Sequence, residues 1–272
     1  MALPFRAAAF DLDDTLLRDD LSISSYTRDV FRRLHDAGFL LIAASGRSEK
    51  SMLPFVEQLG CICYYIACNG AEIYDGPSRK LLHSEAFSAD LAREIAAFGN
   101  DYGCYAQTYA GGYYYFNQQN EYAERYARAS VLKGVFVGDL RAFIREPRTK
   151  ILMMAEEADV SRMLPVARRR FEGRASVTCS KPYFLEFNPP RATKGIALSF
   201  VARALGISPG EIIAFGDSLN DLPMLQSAGR SVAVANGRPD VRALCDEVCR
   251  SNQEDGVARY LAAHFLSDEV IL

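Results

Sequence analysis

The first segment of the chain alternates continuous apolar runs with stretches of helical periodicity. The apolar runs are Arg6–Phe10 and Phe39–Ser45, and the helical stretches are Ser25–Ala37 and Ser48–Gly60. Cys63–Asp75 then has the pattern of a strand, a turn and a second strand. Because uninterrupted apolar strands are typical of sheets that are buried on both faces, this segment predicts a parallel sheet covered by helices.

The same pattern returns after Pro190, where strands and helices again alternate. The predicted elements are a helix at Lys194–Leu205, a strand at Glu211–Ser218, a helix at Leu219–Ala228, a strand at Arg230–Asn236 and a terminal helix at Gly256–Phe265. These elements extend the sheet of the first segment, so the two segments together predict one doubly wound, mainly parallel, Rossmann-like α/β domain.

The segment between them is rich in tyrosine and has strands of the antiparallel kind. Cys104–Phe116 predicts a hairpin around Ala110–Gly112, and Thr149–Glu156 and Arg174–Asn188 predict further strands, with a helix at Asp159–Phe171 between them. We therefore expect an inserted α+β domain. The predicted division is 1–84 and 188–272 for the discontinuous core and 85–187 for the insert.

Composition excludes several functional classes for this chain of 272 residues. The net charge of −3 gives no indication of a nucleic-acid partner. The seven cysteines include no C-x-x-C pair and the three histidines are far apart, which argues against a zinc site. With no signal-peptide pattern and no apolar run long enough to cross a membrane, we expect a cytoplasmic protein without a membrane partner.

Carboxylates are concentrated where two predicted strands end. Asp11 and Asp13 follow the first strand, and Asp217 follows a later one, within the motif Gly216–Asp221. Each motif alone is also typical of a turn that caps a helix. Since parallel strands end at the same edge of a sheet, however, the three carboxylates are expected to converge, and their repulsion requires a cation. Hard oxygen ligands of this kind favour Mg²⁺.

Two further segments contribute groups that are suited to binding phosphate. Ser45 and Gly46 follow the second apolar strand, and Lys194 opens a predicted helix. A hydroxyl, free backbone N–H groups and an ammonium group bind phosphoryl oxygens. Either motif alone carries little information, but together with the carboxylates they provide what phosphoryl transfer needs, which is positioning and charge neutralisation.

The four motifs in this order resemble the haloacid dehalogenase superfamily, in its Cof-type sugar phosphatase branch. The motifs D-x-D-x-T, serine, lysine and G-D-x-x-N-D follow one another, and the insert lies between the serine and the lysine, where that branch has its cap domain. Cys68–Asp75 and Ser251–Leu261 also resemble that branch. Asp14 and Ser45 differ from its more frequent Gly and Thr, and neither change removes a motif role.

The resemblance implies a role for each residue of the motifs. Asp11 would be the nucleophile and Asp13 the general acid and base, and the Asp11 carboxylate, the Asp13 backbone carbonyl and Asp217 would hold Mg²⁺. The phosphoryl group would be bound by a larger set: Ser45, Lys194, Asn220 and the backbone N–H groups near Leu12 and Gly46.

The remaining motif residues would support this set. Asp221 would support the site from behind, and Thr15 would bond locally and fix its turn. Arg47 and Asn69 are candidate substrate contacts at the mouth of the site, although Asn69 is equally typical of a turn. The tyrosines at Tyr113–Tyr115 alternate along a predicted strand, so only some of them could face a substrate.

The implied function is a Mg²⁺-dependent phosphatase of small phosphorylated metabolites, in particular sugar phosphates, acting through an aspartyl-phosphate. A phosphomutase or phosphotransferase of the same superfamily shares this chemistry up to the phospho-enzyme and remains an alternative. A receiver-type signalling protein and a non-catalytic phospho-ligand binder are further alternatives, less consistent with the insert and with the presence of both Asp11 and Asp13. The sequence leaves the oligomeric state open.

Overall fold

The structure, a computed structural model, describes residues 5–266, which contain fourteen strands in two sheets and ten α-helices. The strands are β1 (Ala7–Asp11), β2 (Leu40–Ala44), β3 (Tyr64–Ala67), β4 (Glu72–Asp75), β5 (Leu81–Ser84), β6 (Tyr105–Ala110), β7 (Tyr113–Phe116), β8 (Lys133–Phe136), β9 (Ile151–Met154), β10 (Ser176–Thr178), β11 (Phe184–Asn188), β12 (Ile212–Gly216), β13 (Arg230–Val234) and β14 (Glu247–Cys249). The helices are α1 (Ser25–Asp36), α2 (Glu49–Leu59), α3 (Ala89–Asp101), α4 (Glu121–Ala129), α5 (Leu140–Phe143), α6 (Glu157–Arg170), α7 (Lys194–Leu205), α8 (Leu222–Ser227), α9 (Pro239–Arg242) and α10 (Gly256–Phe265).

The larger sheet has eight strands in the order β14-β13-β12-β1-β2-β3-β4-β5. Six of them are parallel, and β4 and β5 continue the sheet antiparallel beyond β3. Helices α1, α2 and α10 pack on one face, and α7, α8 and α9 pack on the other. Every residue of β1 is buried. The predicted mainly parallel α/β core with an added α+β region is confirmed.

The order of the strands determines where polar side chains converge. Strand β1 lies between β12 and β2, so the chain leaves β1 in one direction and later returns on its other side. The register pairs Phe10 with Phe215 and Asp11 with Ala44, which aligns the carboxyl ends of the three strands. In open α/β sheets, ligands bind at such a reversal of strand order.

The smaller sheet has the order β10-β11-β9-β6-β7-β8 and is antiparallel except between β7 and β8. Its alternation sends Met153 toward α3, α5 and α6, whereas Leu152 and Met154 lie on the opposite face with α4. The expected hairpin connects β6 to β7. All six strands lie inside the predicted insert or end at its boundary, and the division at residues 84 and 188 stays a prediction.

One predicted helix begins later than expected. The segment after β12 was expected to become helical at Leu219, but α8 begins at Leu222. The Asp221 carboxylate accepts hydrogen bonds from the backbone N–H groups of Asp217 and Ser218, both at 3.0 Å, and this holds Gly216–Asp221 as a turn. Among the helices in residues 5–266, none has the length and apolarity needed to cross a bilayer.

Candidate active site

A cavity of about 170 Å³ lies between the carboxyl edge of the larger sheet and the smaller sheet. Directly after β1 the chain forms a tight loop, closed by a hydrogen bond of 2.8 Å from the Leu17 N–H to the Leu12 carbonyl. Asp14 in this loop has a left-handed backbone, with φ of 58°. The turn keeps Asp11 and Asp13 at the carboxyl edge of the larger sheet, where both line the cavity.

Lys194 connects two of the carboxylates. Its Nζ donates to Asp11 Oδ1 and to Asp221 Oδ1, each at 2.5 Å, and its side chain is fully buried. Burial disfavours the ammonium form, but attraction by the two carboxylates outweighs it and raises the pKa of Lys194. This environment favours the ammonium form of Lys194. Its hydrogen bond to Asp11 uses Oδ1 and not Oδ2.

Asp217 enters the cluster from β12 and is fixed by Thr15. The Thr15 hydroxyl donates to Asp217 Oδ1 at 2.8 Å across the sheet edge. The expectation that Thr15 bonds locally is wrong, because the loop after β1 turns this side chain toward the neighbouring strand. Gly216 is required beside it, since a Cβ at this position would lie 2.6 Å from the Cβ of Asp221.

The acidic cluster suits a divalent cation. Oxygens of Asp11, Asp217 and Asp221 all lie within 4.8 Å of one another. Three buried carboxylates lie near one ammonium group. Burial is the main cause that raises the pKa of Asp11 and of Asp217, and repulsion from neighbouring carboxylates raises both further. A bound Mg²⁺ would supply the missing positive charge. Asp221 accepts hydrogen bonds through both carboxylate oxygens, whereas Asp11 and Asp217 each accept a side-chain hydrogen bond through Oδ1, so Asp11 and Asp217 are the better placed ligands.

Ser45 and Arg47 follow β2 on the other side of β1. Ser45 is fully buried, and its Oγ accepts a hydrogen bond of 3.1 Å from the Arg47 N–H. The Arg47 guanidinium donates to both oxygens of Asp13, at 2.8 and 2.7 Å. Burial alone would raise the pKa of Asp13, but the charge and hydrogen bonds of Arg47 lower it below its usual value.

Asn69 and Asn220 form a bridge between loops. Asn69 has a left-handed backbone, with φ of 57°, so it does form the expected turn. Its side chain also takes part in the site, because its Oδ1 accepts from Asn220 Nδ2 at 3.0 Å. The Asn220 Oδ1 in turn accepts from the Ser218 hydroxyl at 2.5 Å.

Comparison with known proteins agrees with this geometry. A sequence model of the haloacid dehalogenase-like hydrolases matches residues 8–261. The chain belongs to this family. The resemblance drawn from the motifs is thereby confirmed, and the molecule is an enzyme of the hydrolase class.

Individual members of the haloacid dehalogenase-like family are similar over nearly the whole chain. The HMP-PP phosphatase of Serratia proteamaculans is 29% identical over 265 residues, covering 94% of each chain. The 5-amino-6-(5-phospho-D-ribitylamino)uracil phosphatase YitU of Bacillus subtilis is 29% identical over 266 residues, covering 94% of this chain and 96% of its own. A solved haloacid dehalogenase-like hydrolase from Bacteroides thetaiotaomicron superposes with a TM-score of 0.85 at 27% identity, covering 96% of this chain and all of that one.

The side of the cavity formed by the smaller sheet was not predicted from the motifs of the haloacid dehalogenase-like family. It includes the buried Lys150 and Glu186 and a set of aromatic and aliphatic side chains: Tyr109, Tyr126, Leu152, Met154, Tyr183 and Phe184. The triplet Tyr113–Tyr115 does not line this cavity. One signal was present in the sequence, since Glu186 is the only charged residue in the apolar strand Phe184–Asn188.

Proposed function

We propose that this chain is a Mg²⁺-dependent phosphatase that hydrolyses small phosphorylated metabolites, in particular sugar phosphates, through an aspartyl-phosphate. The observation that carries the proposal is that five motif residues lie together at one edge of the larger sheet: Asp11, Asp13, Ser45, Lys194 and Asp217. The two curated relatives, both phosphatases of small metabolites by name, support the same substrate class.

Asp11 is the proposed nucleophile. Its Oδ1 accepts from Lys194, and the second oxygen is available to attack phosphorus as the ester P–O bond breaks. A bound Mg²⁺ supplies positive charge that reduces the repulsion between this carboxylate and the anionic phosphoryl group. Asp11, Asp217 and the Asp13 backbone carbonyl are the groups proposed to hold that ion.

Asp13 is the proposed acid and base. It protonates the leaving alkoxide in the first step, then takes a proton from the water that attacks the aspartyl-phosphate and releases Asp11 and inorganic phosphate. The bidentate contact with Arg47 favours the ionised carboxyl, which suits the second step. For the first step Arg47 has to release Asp13, and a phosphate dianion is an alternative partner for the same guanidinium.

The phosphoryl group is proposed to lie between Ser45, Lys194 and the loop N–H groups near Leu12 and Gly46, with Asn220 on the opposite side. Asp221 orients Lys194 and the turn at Asp217, and Thr15 orients Asp217. Arg47 lines the cavity that a substrate would enter, whereas Asn69 is buried beside it and reaches the site through its hydrogen bond with Asn220. The cavity also carries the apolar wall of the smaller sheet, which suits the leaving group.

A panel of phosphorylated metabolites assayed with Mg²⁺ tests the proposal. Phosphate release from sugar phosphates is expected, with kcat/KM ranking the panel. Free phosphate measured against transferred phosphate separates hydrolysis from the phosphomutase and phosphotransferase alternative. Absence of phosphate release from every member of the panel would overturn the proposed function.

A further inference from the structure

A buried ion pair joins the smaller sheet to the site. Lys150, immediately before β9, places its Nζ 2.5 Å from Oε1 of Glu186 in β11, and the two side chains are only 4% and 3% exposed. Because desolvation offsets most of the attraction, a buried pair of this kind contributes little net stability compared with apolar residues of similar size. Its partners indicate a different role.

The lysine also holds the loop that follows β2. Its Nζ donates to the Gly46 carbonyl at 2.6 Å. A peptide group is planar, with its C=O and N–H pointing in opposite directions, so holding this carbonyl also sets the direction of the Arg47 N–H. That N–H donates to Ser45 Oγ at 3.1 Å. Since the hydroxyl oxygen accepts this bond, its own proton remains to be donated to a phosphoryl oxygen.

The glutamate controls a second chain of hydrogen bonds. Its Oε2 accepts from Asn69 Nδ2 at 3.1 Å, and Asn188 Oδ1 accepts from the same Nδ2 at 3.0 Å, so the amino end of the Asn69 amide faces the smaller sheet. The other end, Oδ1, accepts from Asn220 Nδ2 at 3.0 Å. A carboxylate only accepts hydrogen bonds, so Glu186 acts together with Asn188 to set the orientation of the Asn69 amide and, through it, that of Asn220.

We infer that Lys150 and Glu186 act together as positioning residues that orient the phosphoryl-binding groups Ser45 and Asn220 from the smaller sheet. The inference rests on the proposed function, because it assumes that these groups bind a phosphoryl group. Close packing supports it, since a Cβ on Gly46 would lie 3.1 Å from Asn69 Oδ1 and 3.4 Å from Lys150 Nζ. The ion pair, the glycine and the asparagine therefore leave little free space between them.

The main test is the double variant Lys150→Met/Glu186→Leu, which removes both charges and leaves neither buried alone. We expect kcat/KM for a hydrolysed phosphomonoester to fall by about 10- to 100-fold, as for other groups that orient a site indirectly. The inhibition constant for orthovanadate, a mimic of the phosphoryl transition state, should rise in parallel. The matched control is Glu94→Gln/Arg174→Met, an exposed ion pair at 2.7 Å outside the cavity, which should change neither quantity.

A pair of single variants covers the case in which the double variant does not fold. Lys150→Arg keeps a cation that can donate to both the Gly46 carbonyl and Glu186, whereas Lys150→Gln offers the buried Glu186 a neutral donor and removes the cation. The arginine variant should retain more activity and more vanadate inhibition than the glutamine variant. Wild-type kinetics in the double variant, or equal values for the two single variants, would overturn the inference. Failure of the wild-type enzyme to release phosphate from any phosphomonoester would instead overturn the proposed function.

Discussion

The two sides of the cavity differ in charge and in chemistry. The edge of the larger sheet contributes Asp11, Asp217 and Asp221 against the single ammonium of Lys194, so it carries excess negative charge. The smaller sheet and its connections contribute the buried Lys150–Glu186 ion pair, two further cations, Arg125 and Lys181, and a wall of aromatic and aliphatic side chains. This difference supports the proposal that the larger sheet performs the phosphoryl chemistry, while the smaller sheet binds the leaving group and keeps the phosphoryl-binding groups in place.

The largest expected effect comes from the nucleophile on the larger sheet. Asp11→Asn should lower kcat by about 10⁴-fold or more, the scale on which enzymes lose activity when a nucleophile is removed. Substrate binding should be partly retained, because Ser45 and Lys194 remain. Phosphate release under single-turnover conditions measures this change. Asp20→Asn, an exposed carboxylate of the same segment, is the control and should behave as wild type. Unchanged hydrolysis by Asp11→Asn would exclude the aspartyl-phosphate route.

Metal removal should have the next largest effect. Chelation is expected to abolish phosphate release, and added Mg²⁺ should restore it, because the buried carboxylates need a compensating cation. Mg²⁺ should also raise the melting temperature, since an ion that binds only the folded chain stabilises it. Asp217→Asn should lose this thermal shift. Full activity after thorough chelation would contradict the metal assignment.

Much of the larger sheet and its motifs could be predicted, for a physical reason. Continuous apolar runs ending in polar turns specify strands whose ends meet at one edge, and Asp11, Asp13 and Asp217 do lie around one cavity. The partner of Thr15 could not be obtained in this way. Its hydroxyl bonds to Asp217, 202 positions away, and such a contact depends on the strand order rather than on local pattern.

The smaller sheet was less predictable because its polar groups belong to no short motif. Lys150 immediately precedes the apolar strand β9 and Glu186 is an isolated charge within β11, so only the pairing of β9 with β11 brings them together. Helix α4 and strand β8 were also not predicted. The tyrosines that line the cavity come from three separate places, Tyr109 from β6, Tyr126 from α4 and Tyr183 from the turn before β11, whereas the run Tyr113–Tyr115 does not line it.

Two arginines lie on opposite sides of the cavity and differ in their expected effects. Arg47 contacts Asp13, and Arg125 lies over the Tyr183 ring with 3.7 Å from its guanidinium carbon to the ring centre. Arg47→Met should lower kcat/KM by about 10- to 100-fold for every substrate, since it removes the partner of the proposed acid and base. Arg125→Met should instead change the ranking of substrates. Separate kcat and KM values over the panel measure both effects. Equal losses of kcat/KM in both variants for every substrate would contradict the assignment of phosphoryl chemistry and leaving-group binding to different sheets.

The smallest expected effect lies on the apolar wall. Tyr183→Ala should lower kcat/KM for a sugar phosphate by about tenfold, the scale on which one pocket contact discriminates between substrates. Acetyl phosphate, whose leaving group is too small to reach the wall, should be hydrolysed at the wild-type rate, because Asp11 and its partners are unaffected. Tyr113→Ala, at an exposed position outside the cavity, is the matched control. An equal loss of activity with acetyl phosphate would mean that the apolar wall shapes the phosphoryl site itself. Binding of the leaving group and phosphoryl chemistry could then no longer be assigned to separate sheets.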